Sequence, residues 1–397
     1  RDPEMSRGLG DVYKRQVPQI IGKRYGKPSH MVTAFTSIAA LFMATGAQII
    51  ATASIINVVT GISFQTAAVI TTAVVILYTM VGGFASVAAA NMMHVLFITI
   101  GMAVAMFIMA ENPAVGGFSA LFAKAAAMKT ATGADMNMLS MTKIGVPTVI
   151  GYIVMYCMTF PTGQEIVQTF CSAKDGKSAK IGSVLTGILS AVYAIVPAMI
   201  GLMAYTCIDG YAVSQQKNAL ADATMQFAPS IIAGIILAAV VAATMSSASG
   251  NMIGTATMFT NDVYRPYIRG GVHDDKKEIL VSRVVMTIVG LVGLGVALTA
   301  SNIISVMMSA FALRSAGPFA AFIGGLFCKN VTKDAGFLSI LSGTAVAAYW
   351  TYALKSPFGL SAMVPGGIVA FAVLFIVSKY QISRGVEAAA PIELDKE

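Results

Sequence analysis

The chain has 397 residues, of which 56% are hydrophobic and 11% are charged, and its mean hydropathy is +0.76. Soluble domains carry about 25% charged residues, so the composition excludes a soluble globular protein and indicates an all-α polytopic membrane protein. The net charge of +8 belongs to the loops of such a protein and does not indicate nucleic-acid binding.

The spacing of the cysteines and histidines indicates neither disulfides nor a metal site. No two cysteines have the spacing of a disulfide scaffold or of a CxxC metal site, and the histidines lie far apart. We therefore predict no metal centre and no cofactor from these residues. They are Cys157, Cys171, Cys207 and Cys328, and His30, His94 and His273.

The first sixteen residues, RDPEMSRGLGDVYKRQ, differ in character from the rest of the chain. Seven of them are charged, and they contain no apolar stretch of the kind that a signal peptide has. We interpret 1–16 as a segment foreign to the fold. The chain proper then opens with VPQIIGKRYGKPS, which has the composition of a cytoplasmic loop. An opening in mid-loop predicts that upstream helices are missing.

Ten apolar segments follow, each near or above the ~20 residues that a membrane-spanning helix needs. Two longer polar loops separate them, at 111–143 and 208–228, and the second leaves room for a short surface helix. The predicted spans are 30–59, 63–82, 84–110, 145–171, 179–207, 229–262, 280–300, 302–328, 335–354 and 361–379.

The lysines and arginines predict the orientation of these spans. With the opening loop placed inside and the spans alternating, sixteen basic residues fall on the inside and five on the outside. The expected division is a partial transmembrane transporter domain at 17–380 and a disordered cytoplasmic tail at 381–397. A nucleotide-binding loop is absent from the sequence, which argues against transport driven by ATP.

One span, with its flank at 236–264, is unusually rich in hydroxyls and small residues. Ala243, Ser246 and Ser247 stand at i, i+3 and i+4, so they share one face of a helix. Two hydroxyls and a local carbonyl are neutral oxygen ligands, which suit an alkali cation that must bind and leave.

The same pattern also fits a purely structural role. Serines inside a membrane helix often bond back to the carbonyl one turn earlier. A stripe of small residues, formed by Ala242, Ser246, Gly250 and Gly254, would allow a neighbouring helix to pack closely. Periodicity alone does not separate ion binding from packing.

Four motifs resemble those of the sodium:solute symporter family. AATMSSASGNMIGTATMFTNDVY is similar to the family's signature helix. YTMVGGFASV at 78–87, TGQEIVQTFCSAKDGKSAKIG at 162–182 and IGGLFCKNVTKDAG at 323–336 resemble three further family motifs in the same order. The resemblance runs from about 17 to 380. The residues matching the signature are Ala243, Ser246, Ser247, Asn251, Asp262 and Tyr264.

The resemblance implies a LeuT-type bundle of two inverted five-helix repeats, in which inward sodium flow is coupled to uptake of a small solute by alternating access. It implies that Ala243, Ser246 and Ser247 supply half of a sodium site, with Na⁺ as coupling ion. The first core helix would supply the other half. The ten spans match core helices three to twelve, so the chain is expected to lack the first core helices.

The span 145–171 contains the sequence YCMTFPTGQ, in which Pro161 and Gly163 predict a break. A proline removes one backbone hydrogen bond, and a broken helix at mid-depth exposes backbone groups to a solute. An ordinary proline kink is the alternative. In the family, residues just before this break line the substrate cavity. The residues expected to contact solute are Tyr156, Thr159, Phe160 and Gln164.

Two positions depart from the family's Thr-Asp-x-x-Gln motif. The acid is replaced by Asn91 and the glutamine by His94, and we place both in the cation pathway. Loss of the carboxylate leaves ion identity and stoichiometry open. His94 titrates near neutral pH if exposed, which leaves proton coupling as an alternative to a packing role.

Arg314 also departs from the family, and it falls in the middle of the span 302–328. An arginine at the centre of a membrane helix costs at least about 2.5 kcal/mol, so it usually faces a cavity or a partner. It is a fork for a substrate carboxylate, a structural partner of carbonyls, Glu165 or Asp262, a side chain that snorkels toward an interface, or a gate.

The sequence thus predicts a multi-pass transporter of the plasma membrane, not an enzyme, with its C-terminus in the cytoplasm. Its function is expected to be sodium-coupled symport of a small organic solute. Arg314 favours a monocarboxylate or an amino acid over a sugar. The alternatives are a proton-coupled carrier of the same fold and a non-transporting fragment or sensor relative. The sequence leaves the oligomeric state open.

Overall fold

The structure is a computed structural model. It describes residues 17–128, 137–140, 145–163, 166–167, 173, 175–209, 211, 217–300 and 302–391. The side chains of 82–97 and of 358 lie outside what it describes.

The described chain folds into α-helices without β-strands. We number fourteen α-helices. A π-helical segment, Phe259–Ile268, continues α9, and Pro357–Gly359 forms a single 3-10 turn. The α-helices are α1 Val17–Tyr25, α2 Lys27–Thr60, α3 Phe64–Ala110, α4 Gly117–Ala126, α5 Val146–Thr162, α6 Gly176–Tyr193, α7 Ile195–Cys207, α8 Ala219–Phe227, α9 Ser230–Met258, α10 Asp275–Thr299, α11 Ile303–Ser315, α12 Pro318–Phe327, α13 Lys333–Tyr352 and α14 Met363–Ser383.

Helix lies in the described part of each of the ten predicted spans, but ten is higher than the number that qualifies as membrane-spanning. The predicted spans 63–82 and 84–110 form one continuous helix, α3, so the division expected between them is wrong. Among the described residues, six helices are long and apolar enough to cross a bilayer. A seventh qualifies if α11 and α12, which bend by 41° at their junction, count as one span. Helix α5, Val146–Thr162, is apolar but shorter than these, because it ends at Thr162.

The hydroxyl-rich helix α9 packs against α2, α3 and α10. A buried cluster that includes Val75, Met252 and Val289 joins three of these helices. Glycines allow close crossings here. A Cβ atom on Gly290 would lie 2.6 Å from Ile76, and one on Gly46 would lie 2.7 Å from Val296. The hydrophobic part of α9 is thereby held between neighbours that come from distant parts of the sequence.

A second group of helices contains α5, α11, α13 and α14. Met155, Ala312, Ala347 and Met363 are buried together at its centre. The bend between α11 and α12 lies at Gly317, directly before Pro318. A proline starts a helix readily because it lacks the N–H that a first turn leaves unpaired, so the new helix begins there in a different direction.

The two polar loops contain more structure than their composition suggested. The loop 111–143 includes α4, which the sequence did not predict. The expected surface helix in 208–228 exists as α8, but Ala223 and Phe227 are buried in a cluster with α3, α4, α7 and α9. These side chains are buried because α8 is amphipathic and its apolar face covers the ends of the spans.

The predicted tail begins at 381, whereas α14 continues to Ser383. Beyond it, the amide of Ala389 donates to the carbonyl of Val331 over 2.7 Å, and Ala389 is buried. The described start of the tail therefore lies against the connection between α12 and α13.

Helix α6 lies at the periphery and contains no buried residue. Its exposed side chains include Ile181, Val184, Leu185 and Ile188. Apolar surface of this kind is stable in contact with lipid tails rather than with water.

Candidate functional site

The structure places the predicted sodium ligands along α9 with unequal exposure. Ser246 is 6% exposed, Ala243 is half-buried and Ser247 is exposed. The two serines are adjacent, and successive residues of an α-helix point about 100° apart. Ser246 therefore faces the packed side of α9, while Ser247 lies at the edge of its open side.

The open side of α9 continues past Ser247 to Gly250. A Cβ atom built on Gly250 would meet nothing within 4 Å, and one on Gly254 would only touch Leu41 at 3.9 Å. The packing alternative predicts that these glycines lie against a neighbouring helix. At Gly250, no described helix comes that close, so close packing does not account for the small residue there.

Polar contacts fix the packed side of α9. The hydroxyls of Thr244 and Thr52 lie 2.7 Å apart, which ties α9 to α2. Tyr78 of α3 donates to the carbonyl of Met245 over 2.5 Å, and Ser249 donates to the carbonyl of Ser246 over 2.8 Å. These bonds hold the backbone around Ser246 in place. The sequence does not predict these contacts of Thr52 and Tyr78, since their partners are more than 160 residues away.

The predicted solute contacts on α5 include an exposed aromatic pair. The rings of Tyr156 and Phe160 are 5.7 Å apart, and both side chains are about half exposed. Tyr156 also lies 6.3 Å from the ring of Phe311 on α11. Phe311 was not predicted, because an aromatic residue inside an apolar span carries no signal of its own.

Helix α5 ends at Thr162, and Gly163 has an extended backbone, so the helix terminates here rather than merely bending. The hydroxyl of Thr162 lies 2.7 Å from that of Ser315, which anchors the end of α5 to α11. Thr159 is buried, and its hydroxyl contacts the sulfur of Met363 at 3.7 Å. It faces α14, so its surroundings do not favour the predicted contact with solute.

Arg314 is 8% exposed on α11, directly before Ser315. Its guanidinium carbon lies 5.2 Å from the centre of the Phe311 ring, within reach of a cation–π interaction. Asp262, one of its predicted partners, contacts Gln19 and His30 instead. The structure therefore brings Arg314 close to the Tyr156–Phe160 pair through Phe311.

Several predicted residues lie outside the described part of the chain. Gln164 and Glu165 are among them, and so are the side chains of Asn91 and His94. Their predicted roles stay predictions.

A cavity of about 360 Å³ opens at the end of α9, between α3, α9 and α10. Thr257, Asn261 and Ser282 contribute neutral oxygens to its wall, and Asp275 and Glu278 contribute carboxylates. Arg283 also lines the cavity, and Glu278 is already paired with Arg265, so the neutral oxygens are the groups in this wall that suit a cation.

Comparison with known proteins gives a family match. The model of the sodium:solute symporter family (SSF) matches residues 12–343. The osmoregulated proline transporter of Bacillus subtilis is 22% identical over 382 residues, which are 91% of this chain and 73% of that protein.

Two other relatives are named for a sugar and for proline. A sodium/mannose cotransporter of Bos taurus is 26% identical over 381 residues, 84% of this chain and 61% of its own length. A sodium/proline symporter of Staphylococcus aureus is 25% identical over 340 residues, 80% of this chain and 63% of its own length. The chain thus spans less than two thirds of the length of these two relatives.

Among solved structures, a Na⁺-coupled sialic acid symporter in a substrate-bound outward-open state is similar, with a TM-score of 0.75. The match covers 96% of this chain and 79% of that protein, at 18% sequence identity. At this identity the likeness establishes the fold, which is the LeuT-type helical bundle expected from the four motifs.

Proposed function

The chain belongs to the sodium:solute symporter family, a family of transporters rather than enzymes, and on that premise we propose that it carries a small organic solute across the plasma membrane with Na⁺ as the coupling ion. The observation that carries the proposal is the signature helix α9, where the buried hydroxyl of Ser246 and the exposed hydroxyl of Ser247 stand side by side at the border of an open helix face. The C-terminus is proposed to lie in the cytoplasm, as the distribution of basic residues predicts.

The sodium site is proposed to use the carbonyl of Ala243 and the hydroxyls of Ser246 and Ser247. Ser246 is held by the packed side of α9, whereas Ser247 borders the open side, so an ion can enter from one side and meet both. Neutral oxygens bind a monovalent cation without trapping it, which a transport cycle requires. The cavity beside Thr257 and Asn261 is a suitable route for the ion after release.

The solute is proposed to bind between α5 and α11. Tyr156, Phe160 and Phe311 offer flat apolar surface, and Arg314 offers a fork of donors that matches a carboxylate. A small amino or carboxylic acid fits this combination better than a neutral sugar. Two of the relatives are proline transporters, which makes proline the first compound to test.

Sodium binding and solute binding are proposed to be coupled through a helix that packs against both sites. Helix α2 packs against both α9 and α11, so sodium on α9 and solute on α11 act on the same helix. We propose that sodium stabilises the arrangement that accepts solute. A ligand can shift a conformational equilibrium only by its difference in affinity between the two states.

The test is uptake of radiolabelled solutes into proteoliposomes under separately imposed sodium and proton gradients. Proline, a monocarboxylate and mannose form the first panel. We expect accumulation of proline when a sodium gradient is imposed alone. Accumulation under a proton gradient alone would instead support the proton-coupled alternative, and its loss in His94→Ala would assign the proton to that residue.

A protein that neither accumulates nor exchanges any compound of the panel would contradict the proposal and favour a non-transporting relative. Counterflow distinguishes slow transport from none, because preloaded solute drives exchange of label without an ion gradient. Binding of proline without counterflow would indicate a sensor.

A further inference from the structure

The cavity between α3, α9 and α10 lies where these helices reach the side predicted to be cytoplasmic. Along α10 it is lined by residues that recur every three or four positions, so one face of the helix forms its wall. Asp275 and Met286 mark the two ends of that face, about 17 Å apart at the rise of an α-helix. The residues of the face are Asp275, Glu278, Ile279, Ser282, Arg283 and Met286.

The wall of the cavity changes from apolar to charged along this direction. Met286 lies at the end that points into the bundle, where it belongs to one hydrophobic cluster with Met80 of α3 and Ile253 of α9. Toward the cytoplasmic end the charged side chains follow, first Arg283 and then, at the start of α10, Asp275. A ligand that matches this wall is therefore amphiphilic, with its apolar part directed into the membrane.

Three side chains in the wall carry hydrogen-bond donors that no described residue uses. Within the described structure, the guanidinium of Arg283 forms neither an ion pair nor a hydrogen bond, and the side chains of Asn261 and Thr257 form no hydrogen bond. The hydroxyls of Thr260 and Ser282, by contrast, lie 3.1 Å apart and bind each other. The free groups are one positive charge and two neutral donors, a combination that suits an oxyanion such as a phosphate.

The two carboxylates of the wall differ in how far they are neutralised. Glu278 accepts two hydrogen bonds from Arg265, at 2.9 and 2.6 Å. The side chain of Asp275 is 83% exposed, and its Oδ1 lies 2.9 Å from Nε2 of His273. Asp275 thus keeps a carboxylate that a cation from outside the protein can reach. With the free Arg283 counted as well, the positive and negative charges in and beside the wall balance.

The mouth of the cavity lies on the outside of the bundle. Ile279 lines it and is 54% exposed, its neighbour Leu280 is more exposed still, and Arg283 is exposed beside them. Large apolar side chains with this exposure are stable against lipid tails rather than against water. Because Ile279 is only one turn from the start of α10, the cavity opens toward the lipid near the level of the cytoplasmic head groups.

We propose that this cavity binds a phosphatidylethanolamine molecule of the cytoplasmic leaflet. From the membrane toward the cytoplasm, this lipid presents an acyl chain, a phosphate and an ammonium group, and the wall presents Met286, Arg283 and Asp275 in the same order. The guanidinium binds two phosphate oxygens, while Asn261 and Thr257 donate to the phosphate from α9 and its π-helical continuation. The ammonium donates to the Asp275 carboxylate, a bond that phosphatidylcholine cannot make because its quaternary ammonium has no N–H group.

The carboxylates also distinguish this lipid from an anionic one. Phosphatidylglycerol brings the same phosphate toward Asp275 and Glu278 without an ammonium group to balance its charge. The lipid site goes beyond the proposed transport. One consequence rests on that transport: the bound phosphate neutralises Arg283, whose charge otherwise repels a cation that leaves by the same cavity.

The test follows photoactivatable phospholipids in nanodiscs that contain phosphatidylethanolamine, phosphatidylcholine and phosphatidylglycerol in equal amounts. Three probes carry a diazirine in the same acyl chain and differ only in these head groups. After illumination, mass spectrometry measures adducts on Met286 and Ile253 and divides them by adducts on Leu185, an exposed residue of α6. We expect this ratio to be about tenfold higher for the ethanolamine probe than for either other probe, the effect of one charge-assisted hydrogen bond.

Four variants decide whether the wall of the cavity is responsible. Asp275→Asn removes the charge at constant size, and it is expected to give equal ratios for the ethanolamine and choline probes. Arg283→Gln is expected to lower the ratio for the ethanolamine probe about tenfold, and Arg283→Lys, which keeps a cation for the phosphate, is expected to lower it less. Lys276→Gln is the matched control, because Lys276 is an exposed cation of α10 and is not among the described residues that line the cavity. It is expected to keep the pattern of the parent.

Equal ratios for the three probes in the parent would overturn the proposal, and a highest ratio for phosphatidylglycerol would overturn it in favour of an anionic lipid. Retention of the parent pattern in both Asp275→Asn and Arg283→Gln would overturn it as well, and so would loss of the pattern in Lys276→Gln. The measurement needs no transport. Failure of the lipid site therefore leaves the proposed symport standing, and failure of solute uptake leaves the lipid site standing.

Discussion

Ser246 and Ser247 are adjacent in sequence, but their side chains differ in exposure. One faces the packed side of α9 and the other borders its open side. A cation that binds here contacts a fixed hydroxyl and an accessible one. Loss of either should therefore weaken sodium binding without unfolding the helix, because serine and alanine are both tolerated in membrane helices.

Ser246→Ala and Ser247→Ala are each expected to raise the sodium concentration for half-maximal solute uptake by about 10-fold or more. The reason is that polar contacts to a charged group contribute about 1.5–3 kcal/mol each. The measurement is initial uptake as a function of sodium at saturating solute. Ser183→Ala is the matched control, since Ser183 is an exposed serine of α6 whose hydroxyl bonds back to Ala179. A double variant with unchanged sodium dependence would remove the assignment.

Two substitutions of Arg314 distinguish the effect of its positive charge from the effect of the planar shape of its guanidinium. Arg314→Lys keeps the charge but loses the planar fork, whereas Arg314→Gln loses both. We expect Arg314→Gln to abolish uptake of an anionic solute, and Arg314→Lys to reduce it at least about tenfold through a higher KM. Uptake and membrane insertion are measured together. Normal uptake by Arg314→Gln would show that the residue has a purely structural role.

The candidate site could be predicted in part at the level of residues. The hydroxyl pattern around Ser246 and the isolated charge of Arg314 are visible in the sequence, because polar groups are rare in apolar spans. The contacts of Tyr78 and Phe311 could not be found in this way. Their roles depend on which helices become neighbours, and that depends on contacts between segments far apart in the chain.

At the scale of elements, the bent pair α11 and α12 is the feature that most depends on a single residue. A Cβ atom on Gly317 would overlap the carbonyl oxygen of Ile340 on α13. The bend therefore lies where α13 comes close to the chain. The backbone of α13 cannot move aside as a flexible side chain can, so a larger residue at Gly317 must push α13 away from the bend.

Gly317→Ala is expected to destabilise the protein by about 1–3 kcal/mol, the usual cost of overpacking a close contact. Thermal unfolding in detergent measures the effect. Gly187→Ala on α6 is the control, because a Cβ atom there meets nothing within 4 Å. Equal thermal stability of the two variants would show that α11, α12 and α13 can separate at little cost.

A break in the span 145–171 was predictable because two breaker residues, Pro161 and Gly163, stand where α5 ends. The bend at Gly317 and Pro318 was not predicted, since 302–328 was expected to be one span. Helix α8 was expected at the surface, and it exists there with its apolar face buried. Its short amphipathic sequence does not reveal that the ends of α3 and α7 leave apolar surface for it to cover.

At the scale of the whole molecule, ten segments were expected to span the membrane, and six or seven of the described helices qualify by length and composition. Hydropathy finds apolar sequence reliably, but it does not show where a helix breaks or how far each part extends. The bend within 302–328 and the end of α5 are both breaks of this kind. The orientation rests on a different signal, the unequal distribution of basic residues.

Cysteines that replace exposed lysines test the predicted orientation of the spans. In a cysteine-free background, Lys276→Cys is expected to react with an impermeant maleimide only from the cytoplasmic side, and Lys124→Cys only from the outside. Intact cells and inside-out vesicles provide the two sides. Labelling of both positions from the same side would refute the alternating arrangement of spans.

The central claim is that sodium and solute cross the membrane together. The most direct measurement follows labelled sodium and labelled proline at once in the same proteoliposomes. Each gradient is predicted to drive entry of the other compound at a fixed ratio, and replacement of both Ser246 and Ser247 by alanine is predicted to abolish both fluxes at low sodium. Proline entry without sodium entry, at the same rate in the wild type and in the double variant, would contradict the account.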